Sequence, residues 1–420
     1  MNRGFYTIMA AQFFSSLADS ALIIVAIGLL TAMKAPASLT PLLKLSFVLF
    51  YVLLAPFVGA FADSMNKGRV MFIANFIKVF GCALVLLNVH PLAAYAVVGF
   101  GAAVYSPAKY GILTELLPAE QLVIANAWIE GLTVMSIIFG TVMGGALVSA
   151  HGGAWLMTLD VPGIDTGIDT PAKAQIAVLV GTYALAAAFN LRIPDTGARY
   201  EHQERNPAKL IADFAECSKT LWNDRLGQIS LAVTTLFWGS GAALQLIVLE
   251  WAKRSLHMPL DKATTLIGVV AIGVAVGAAL AAKLIPLRKA LSVIPLGIAM
   301  GVVVMAMTLV HRIEIAVVML LIIGLLSGFF VVPVNALLQH RGHVLMSAGH
   351  SIAVQNFNEN LSILTLMAVY AIMITLNVHL SVIIVLFGFS LAAIMYLVGR
   401  RHANNQRKHD LLALIEEHKH

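Results

Sequence analysis

The chain has 420 residues, of which 60% are hydrophobic and only 11% are charged. An ordinary soluble domain carries about 25% charged residues, so this composition excludes a soluble globular protein. The net charge of +6 comes without a basic stripe interleaved with aromatic side chains, which argues against nucleic-acid binding. The apolar segments are long and lack the short alternating strands of an outer-membrane barrel, so we predict an all-α membrane protein.

Twelve segments are long and apolar enough to cross a bilayer, whose hydrocarbon core takes about 20 residues of helix to span. They lie at 5–32, 44–62, 70–89, 91–114, 122–149, 175–192, 228–252, 263–285, 290–310, 314–338, 347–376 and 379–399. The longest polar stretch divides these transmembrane helices six and six, which is typical of transporters built from two parallel repeats.

This division predicts two six-helix bundles with a linker and a tail. The N-terminal bundle covers 1–192, the linker 193–227, the C-terminal bundle 228–400 and the tail 401–420. Most Lys and Arg residues outside the spans fall on the side of the linker, so the positive-inside rule predicts that the linker, the tail and both termini are cytoplasmic. The loop 151–173 is then external.

The first predicted span contains a carboxylate, Asp19, deep in its apolar run. A charge at the centre of a spanning helix costs about 2.5–3.5 kcal/mol on insertion scales, so it needs a partner or a wet cavity. Gln12, Ser15 and Ser16 precede Asp19 by seven, four and three residues and share its helical face. We predict that Asp19 and Gln12 bind substrate; hydrogen bonding to a neighbouring helix is the structural alternative.

The loop after the second span reads GAFADSMNKGRV, residues 59–70. It resembles the loop signature of the major facilitator superfamily, in which a glycine, an acid four residues later and further glycine and basic residues follow one another. Gly59 and Asp63 match it, whereas Lys67 and Arg69 come two positions later than the usual pattern. We predict that these four residues form a conformational latch, with Asp63 capping the next helix and pairing with the basic residues. A tight turn flanked by positive charges is the alternative.

Three further charges lie within the third to fifth spans. Lys109 follows Pro107, which removes one backbone hydrogen bond and frees a carbonyl, and an ammonium there suits a phosphate or carboxylate. Lys78 either lines the same space or extends to the membrane surface. Glu130 is a further candidate. We predict substrate-binding roles for Lys109, Lys78 and Glu130.

The eleventh span carries the densest polar cluster, from His350 to Ser362. Gln355 and Glu359 are one turn apart and share a face with Asn358. Hydrogen bonds between helices, at about 1 kcal/mol each, account for some of these side chains. We predict that Gln355 and Glu359 bind substrate.

Enzymatic or metal chemistry has little support in the sequence. The two cysteines, Cys82 and Cys217, lie in different environments, and the histidines lack metal-ligand spacing, so we predict no cofactor, no metal and no catalytic residue. A membrane-embedded acyltransferase is disfavoured because His350 and Glu359 are nine residues apart and not on one face.

Several stretches together resemble the bacterial lysophospholipid transporter family within the major facilitator superfamily. They include AQFFSSLADSALI, APFVGAFADSMNKGRVMFIANFIKVFG, TLFWGSGAAL and, most specifically, SPAKYGIL and VPVNALLQ. The resemblance implies uptake of lysophospholipids, such as lysophosphatidylethanolamine, from the outer to the inner leaflet of the bacterial inner membrane. A separate cytoplasmic acyltransferase would then restore the second chain. Asp19 and Lys109 match positions expected along the head-group path, whereas the basic residue expected near Gln245 is missing.

In the expected mechanism, the protein encloses only the head group of the lysophospholipid. Lys109 would meet the phosphate and Asp19 or Glu359 the ammonium, while the acyl tail stays in lipid and a monomer rocks its halves to alternate access. The alternative is a proton-driven exporter of amphipathic drugs, in which Asp19 or Glu130 carries the proton.

Overall fold

The computed structural model describes residues 3–36, 39–158, 169–200, 204, 206–258, 260–408 and 415. Parts of the predicted external loop and of the predicted tail therefore lie outside the described residues. The helices of the described chain are α1 (Arg3–Ala32), α2 (Leu39–Leu53), α3 (Ala55–Asp63), α4 (Lys67–Leu86), α5 (Pro91–Leu116), α6 (Leu122–Val148), α7 (Ala150–Met157), α8 (Pro171–Asn190), α9 (Pro207–Asn223), α10 (Gly227–Ser255), α11 (Leu260–Leu284), α12 (Ile294–Ala306), α13 (Ile313–Leu345), α14 (Ala348–Thr375) and α15 (Leu380–Lys408). Turns of 3-10 helix occupy Ala119–Gln121, Leu287–Val293 and Met307–Leu309.

Eleven single stretches within the described chain are long and apolar enough to cross a membrane. A twelfth consists of α2 and α3, which are bent by 65°. The bend follows from Pro56 in the first turn of α3, because proline fits the start of a helix but cannot continue the hydrogen bonding of the preceding one. The predicted span 44–62 is therefore two helices that meet at Leu54.

The helices pack as an N-terminal group, α1–α8, and a C-terminal group, α10–α15. Within the first, α1 packs on α6 and α8, and α4 packs on α5; within the second, α11 packs on α13 and α12 on α15. Glycines allow these close approaches: a Cβ on Gly140 would lie 2.6 Å from the carbonyl oxygen of Leu17, and one on Gly273 would lie 2.5 Å from that of Leu321.

The amphipathic helix α9 belongs to the segment between the two groups and contacts α3, α10 and α14. Its buried residues are Phe214 and Leu221. The Phe214 ring lies edge-on to Phe357 of α14, with centroids 5.4 Å apart. We call the end of the molecule where α9 lies the linker face.

The interface between the groups is fully buried at the linker face and less buried beyond it. Every residue from 331 to 342, at the linker-face end of α13, is buried, whereas no residue from 360 to 379 is buried. In the most apolar 18-residue stretch of each helix, 6% of the residues of α14 are buried, against 72% of those of α5. Helix α14 packs along α10 and contacts α2, α3 and α5 of the other group, and its outer half is the less buried part.

Candidate functional site

The candidate site is centred on Lys109 of α5, with Glu130 of α6 and Glu359 of α14 in its electrostatic surroundings. The Lys109 charge interacts most strongly with Glu130 of α6, then with Lys78 and Asp19, and least with Glu359 of α14. Glu130 and Glu359 also interact with each other. Both carboxylates are buried, at 6% exposure. The Lys109 ammonium lies 4.0 Å from the centroid of the Tyr110 ring. It makes no hydrogen bond or ion pair with the described residues. An unpaired cation with acids nearby can bind an anion and, beside it, a second cation.

Hydrogen-bonded amides support Glu359. Gln355 Nε2 donates to Glu359 Oε1 at 2.8 Å and to Asn335 Oδ1 at 2.6 Å. Asn335 Nδ2 donates to Asn126 Oδ1 at 3.0 Å, and Asn126 Nδ2 donates to Gln339 Oε1 at 2.9 Å. This amide ladder, Gln355–Asn335–Asn126–Gln339, joins α14 and α13 to α6 of the other group.

The predicted pair Gln355 and Glu359 is thus brought together. Asn126 and Gln339 were missed by the sequence reasoning, although each is an amide within an apolar run, IANAWIEG and VPVNALLQ, and that signal was available. A second contact between the groups lies beside Pro107, where Asn356 Nδ2 donates to Ser106 Oγ at 2.9 Å.

Asp19 belongs to a separate network within the N-terminal group. Lys78 Nζ donates to both Asp19 oxygens, at 2.9 and 2.8 Å, and the Tyr183 hydroxyl donates to Oδ1 at 2.7 Å. The Lys78 side chain is 1% exposed and that of Asp19 is 22% exposed. The Lys78 ammonium also lies 5.1 Å from the centroid of the Tyr105 ring. Lys78 therefore points inward and neutralises Asp19 rather than reaching the membrane surface.

The polar residues predicted to share a helical face with Asp19 belong to two separate sets of hydrogen bonds. Ser15 Oγ accepts from Lys78 Nζ at 3.1 Å and donates to Asn75 Oδ1 at 2.8 Å. Gln12 is 2% exposed and donates to Ser16 Oγ, one turn later, at 2.8 Å. Gln12 is thus held by a bond within its own helix, and its predicted role in substrate binding stays a prediction.

Asp63, the last residue of α3, binds the start of α14. Its carboxylate accepts from Gly349 N at 3.0 Å and from the Ser347 hydroxyl, and it lies 2.9 Å from His350 Nδ1. Gly59 allows this approach, since a Cβ there would lie 2.9 Å from His350 Cα. Asp63 therefore joins the two groups at the linker face.

The basic residues of the predicted latch have different positions. Lys67 is buried and lies 2.5 Å from Asp63 Oδ1 and 3.4 Å from Glu115 Oε1. Arg69 is exposed. Helix α4 is capped by Asn66, whose Oδ1 accepts from Gly68 N at 2.8 Å, so the expectation that Asp63 caps this helix is wrong. The chain leaves α3 at Asp63 and begins α4 only at Lys67, which places the cap next to Lys67.

Residues that follow α8 cover the cluster formed by Asp63, Lys67 and Glu115. The Tyr200 hydroxyl donates to Glu115 Oε1 at 2.8 Å, and Thr196 Oγ1 donates to Oε2 at 2.8 Å. The Lys67 ammonium lies 4.8 Å from the centroid of the Tyr200 ring. Burial, reinforced by the Glu115 charge, raises the pKa of Tyr200 well above its ordinary value, so the phenol stays a donor. Nothing in the sequence pattern pointed to these contacts.

On the opposite face, a lysine approaches the position where a basic residue was expected in the seventh span. Lys44 Nζ of α2 donates to Gln245 Oε1 of α10 at 3.3 Å. The ammonium near Gln245 thus comes from the other group.

The family model of the Major Facilitator Superfamily matches residues 8–366. The chain belongs to this superfamily. It is 37% identical over 379 residues to the lysophospholipid transporter LplT of Yersinia enterocolitica serotype O:8 / biotype 1B, covering 90% of this chain and 89% of that protein. It is 37% identical over 378 residues to LplT of Yersinia pestis strain Pestoides F, covering 90% and 88%. The resemblance to the bacterial lysophospholipid transporters of the superfamily is confirmed.

Solved structures share the superfamily fold. A bacterial homologue of the iron transporter ferroportin in an outward-facing state has a TM-score of 0.70 at 12% identity, covering 97% of this chain and all of that one. The transporter FucP in its outward conformation also has a TM-score of 0.70 at 12% identity, covering 95% and 98%. The predicted major facilitator fold of membrane-spanning helices is confirmed.

Proposed function

We propose that this protein moves lysophospholipids, such as lysophosphatidylethanolamine, from the outer to the inner leaflet of the bacterial inner membrane. The relatives named as lysophospholipid transporters, matched over about nine-tenths of the chain, support the substrate class. The observation that carries the mechanism is the unpaired Lys109 ammonium beside two buried carboxylates.

The head group fits these charges. In the proposed complex the phosphate binds Lys109, and the ammonium of the head group binds Glu359 or Glu130, or the exposed edge of Asp19. Charge-assisted hydrogen bonds of this kind contribute about 1.5–3 kcal/mol each. Asp19 is the weaker candidate, because Lys78 already binds both of its oxygens.

The acyl chain remains in lipid throughout. Burial is worth about 0.8 kcal/mol per CH2, so transferring a sixteen-carbon tail to water would cost about 12 kcal/mol. A cavity that accommodates the polar head alone avoids that barrier. The outer part of α14, from Asn360 onward, is not buried, and in the proposed complex the tail extends along it.

The linker face is proposed to be cytoplasmic, with both chain termini on that side, because the Lys and Arg residues outside the spans concentrate there. In this orientation the closely packed side of the interface faces the cytoplasm. Access alternates when the Asp63 contacts with α14 and the bonds of the amide ladder between α6 and α13 break, while the groups approach each other further on the other side, where Lys44 already reaches Gln245. The latch role of Gly59, Asp63, Lys67 and Arg69 is part of this proposal.

The product is a substrate for acylation. A lysophospholipid that reaches the inner leaflet lacks one acyl chain, so a separate cytoplasmic acyltransferase would consume it. We propose a functional link to such an enzyme and a monomeric transporter.

The test is acylation of labelled lysophosphatidylethanolamine presented to the outer leaflet of cells that contain the acyltransferase. We expect uptake with this protein and at least about tenfold less with Lys109→Gln, which removes the charge that binds phosphate. Lys253→Gln, an exposed lysine of α10, is the matched control and should transport normally. Absence of uptake with the unmodified chain overturns the function; normal uptake with Lys109→Gln overturns the assignment of the phosphate to Lys109.

The drug-exporter alternative makes a different prediction in the same cells. An exporter would lower the accumulation of amphipathic cationic drugs, and an uncoupler would abolish this effect. We expect drug accumulation to be unchanged by the protein.

A further inference from the structure

A cavity with a volume of about 870 Å³ lies in the C-terminal group at the linker face. Its walls come from the 3-10 turn Leu287–Val293, the start of α12 and the end of α15. Three basic side chains, Arg288, Lys289 and Arg400, line it. Asp and Glu are absent from its described lining, so the cavity has a positive potential.

Much of this charge is uncompensated. Neither the side chain of Lys289 nor that of Arg400 makes a hydrogen bond or an ion pair with the described residues. His402, which also lines the cavity, has its Nδ1 atom buried without a hydrogen-bond partner. Both Lys289 and Arg400 are exposed, so they can reach a ligand without changing the fold.

The remaining wall is largely apolar and continues onto the surface that faces lipid. Leu291, Ile294 and Ile298 line the inside. Tyr396 of α15 also lines the cavity and is 54% exposed, and its neighbour Leu397 is 60% exposed. A free inorganic anion makes no favourable contact with an apolar wall. A phospholipid can place its phosphate against the basic residues and its acyl chains against the apolar ones.

We propose that this cavity binds an acidic phospholipid of the linker-face leaflet. Lys289 and Arg400 hold the phosphodiester, and the acyl chains lie against α12 and α15. Basic pockets between transmembrane helices at this level of a membrane bind anionic head groups in this manner. Apart from Leu226, just before α10, and Ile415, beyond α15, the described lining belongs to the C-terminal group, so the lipid stays with one half of the transporter. It is distinct from cargo at Lys109, and this proposal does not depend on the proposed function.

The test measures the melting temperature of the purified full chain in detergent as phosphatidylglycerol is added. We expect stabilisation by phosphatidylglycerol, and none by phosphatidylethanolamine or by inorganic phosphate at the same concentration. The double variant Lys289→Gln/Arg400→Gln should bind phosphatidylglycerol roughly thirtyfold more weakly, at about fivefold per cation removed. The control Lys283→Gln/Arg407→Gln removes two exposed charges outside the cavity and should bind like the unmodified chain.

Native mass spectrometry gives an independent readout. The unmodified chain should retain one more phosphatidylglycerol than the Lys289→Gln/Arg400→Gln variant. Equal retention by the two proteins overturns the site. Equal stabilisation by inorganic phosphate or by phosphatidylethanolamine overturns the choice of ligand. No stabilisation of the unmodified chain, as expected if its own C-terminal residues fill the cavity, overturns the proposal.

Discussion

Replacing Gly59 with alanine should open the linker face. A Cβ at this position would lie 2.9 Å from His350 Cα and 3.1 Å from the Gly349 carbonyl oxygen. Both neighbours are backbone atoms, so no side-chain rotation can relieve the contact. Helix α3 must move away from α14 by a few tenths of an ångström, which also lengthens the bonds that Asp63 makes to α14.

The size of the effect follows from the cost of overpacking. One extra methyl group in a tightly packed interface costs about 1–3 kcal/mol. This cost arises only in the state in which α3 touches α14, so the ratio of open to closed linker face should rise roughly 5- to 150-fold. The folded protein itself should remain stable, because the groups can separate along a path that transport already uses.

The assay follows the alkylation of a cysteine placed at Ser106. This residue is 6% exposed and its Oγ bonds to Asn356 of the other group, so it reports separation of the groups. A membrane-impermeant maleimide is applied from the linker face to protein whose own cysteines have been replaced. We expect the alkylation rate to rise with the open population.

The control is Gly241→Ala, because a Cβ on Gly241 would meet no atom within 4 Å. This variant should label at the rate of the parent protein. Equal rates for Gly59→Ala and Gly241→Ala would show that the approach of α3 to α14 does not hold the linker face closed.

Three further outcomes are expected. Asp19→Asn should destabilise the purified protein by about 3–5 kcal/mol, because Lys78 keeps a buried charge without its partner, and Lys78→Met should restore much of the lost thermal stability; a single variant as stable as the parent would contradict the buried pairing. Tyr200→Phe should lower stability by about 1 kcal/mol through loss of the bond to Glu115, measured as a lower melting temperature, and an unchanged value would argue against that bond. Burial and neighbouring acids raise the pKa of Cys217 to about 11, so its alkylation should rise about tenfold per pH unit up to that pH. Near pH 8 it should be about a hundredfold slower than for a thiol of ordinary pKa; a plateau below pH 10 would be inconsistent with this environment.

The transmembrane helices could be predicted because a bilayer demands long apolar runs, and such runs are visible in one dimension. The bend between α2 and α3 was less accessible. Pro56 is plain in the sequence, but the segment 44–62 is long enough to pass as one straight span. Its 65° angle depends on how α3 packs against α14 and α9, which are distant in sequence.

The site was predictable as a set of residue types, not as a set of pairs. A buried carboxylate at Asp19 requires a cation, and the chain offers Lys78 and Lys109, which are 59 and 90 residues away. The packing of α1 against its neighbours pairs Asp19 with Lys78, and the acid that acts most strongly on Lys109 is Glu130. Periodicity gives the face of one helix, but it does not say which helix lies opposite.

Because both members of the Asp19–Lys78 pair belong to the N-terminal group, they move as one electrically neutral unit whichever side is open. Lys109, Glu130 and Glu359 likewise remain attached to their own helices. A zwitterionic cargo adds no net charge to them, whereas an anionic lysolipid would add one, worth about 2.3 kcal/mol per 100 mV across the membrane. Because the inside of the cell is negative, the membrane potential would oppose inward movement of an anionic lysolipid but not of a zwitterionic one. This selectivity between head groups would require no specific contact with the protein.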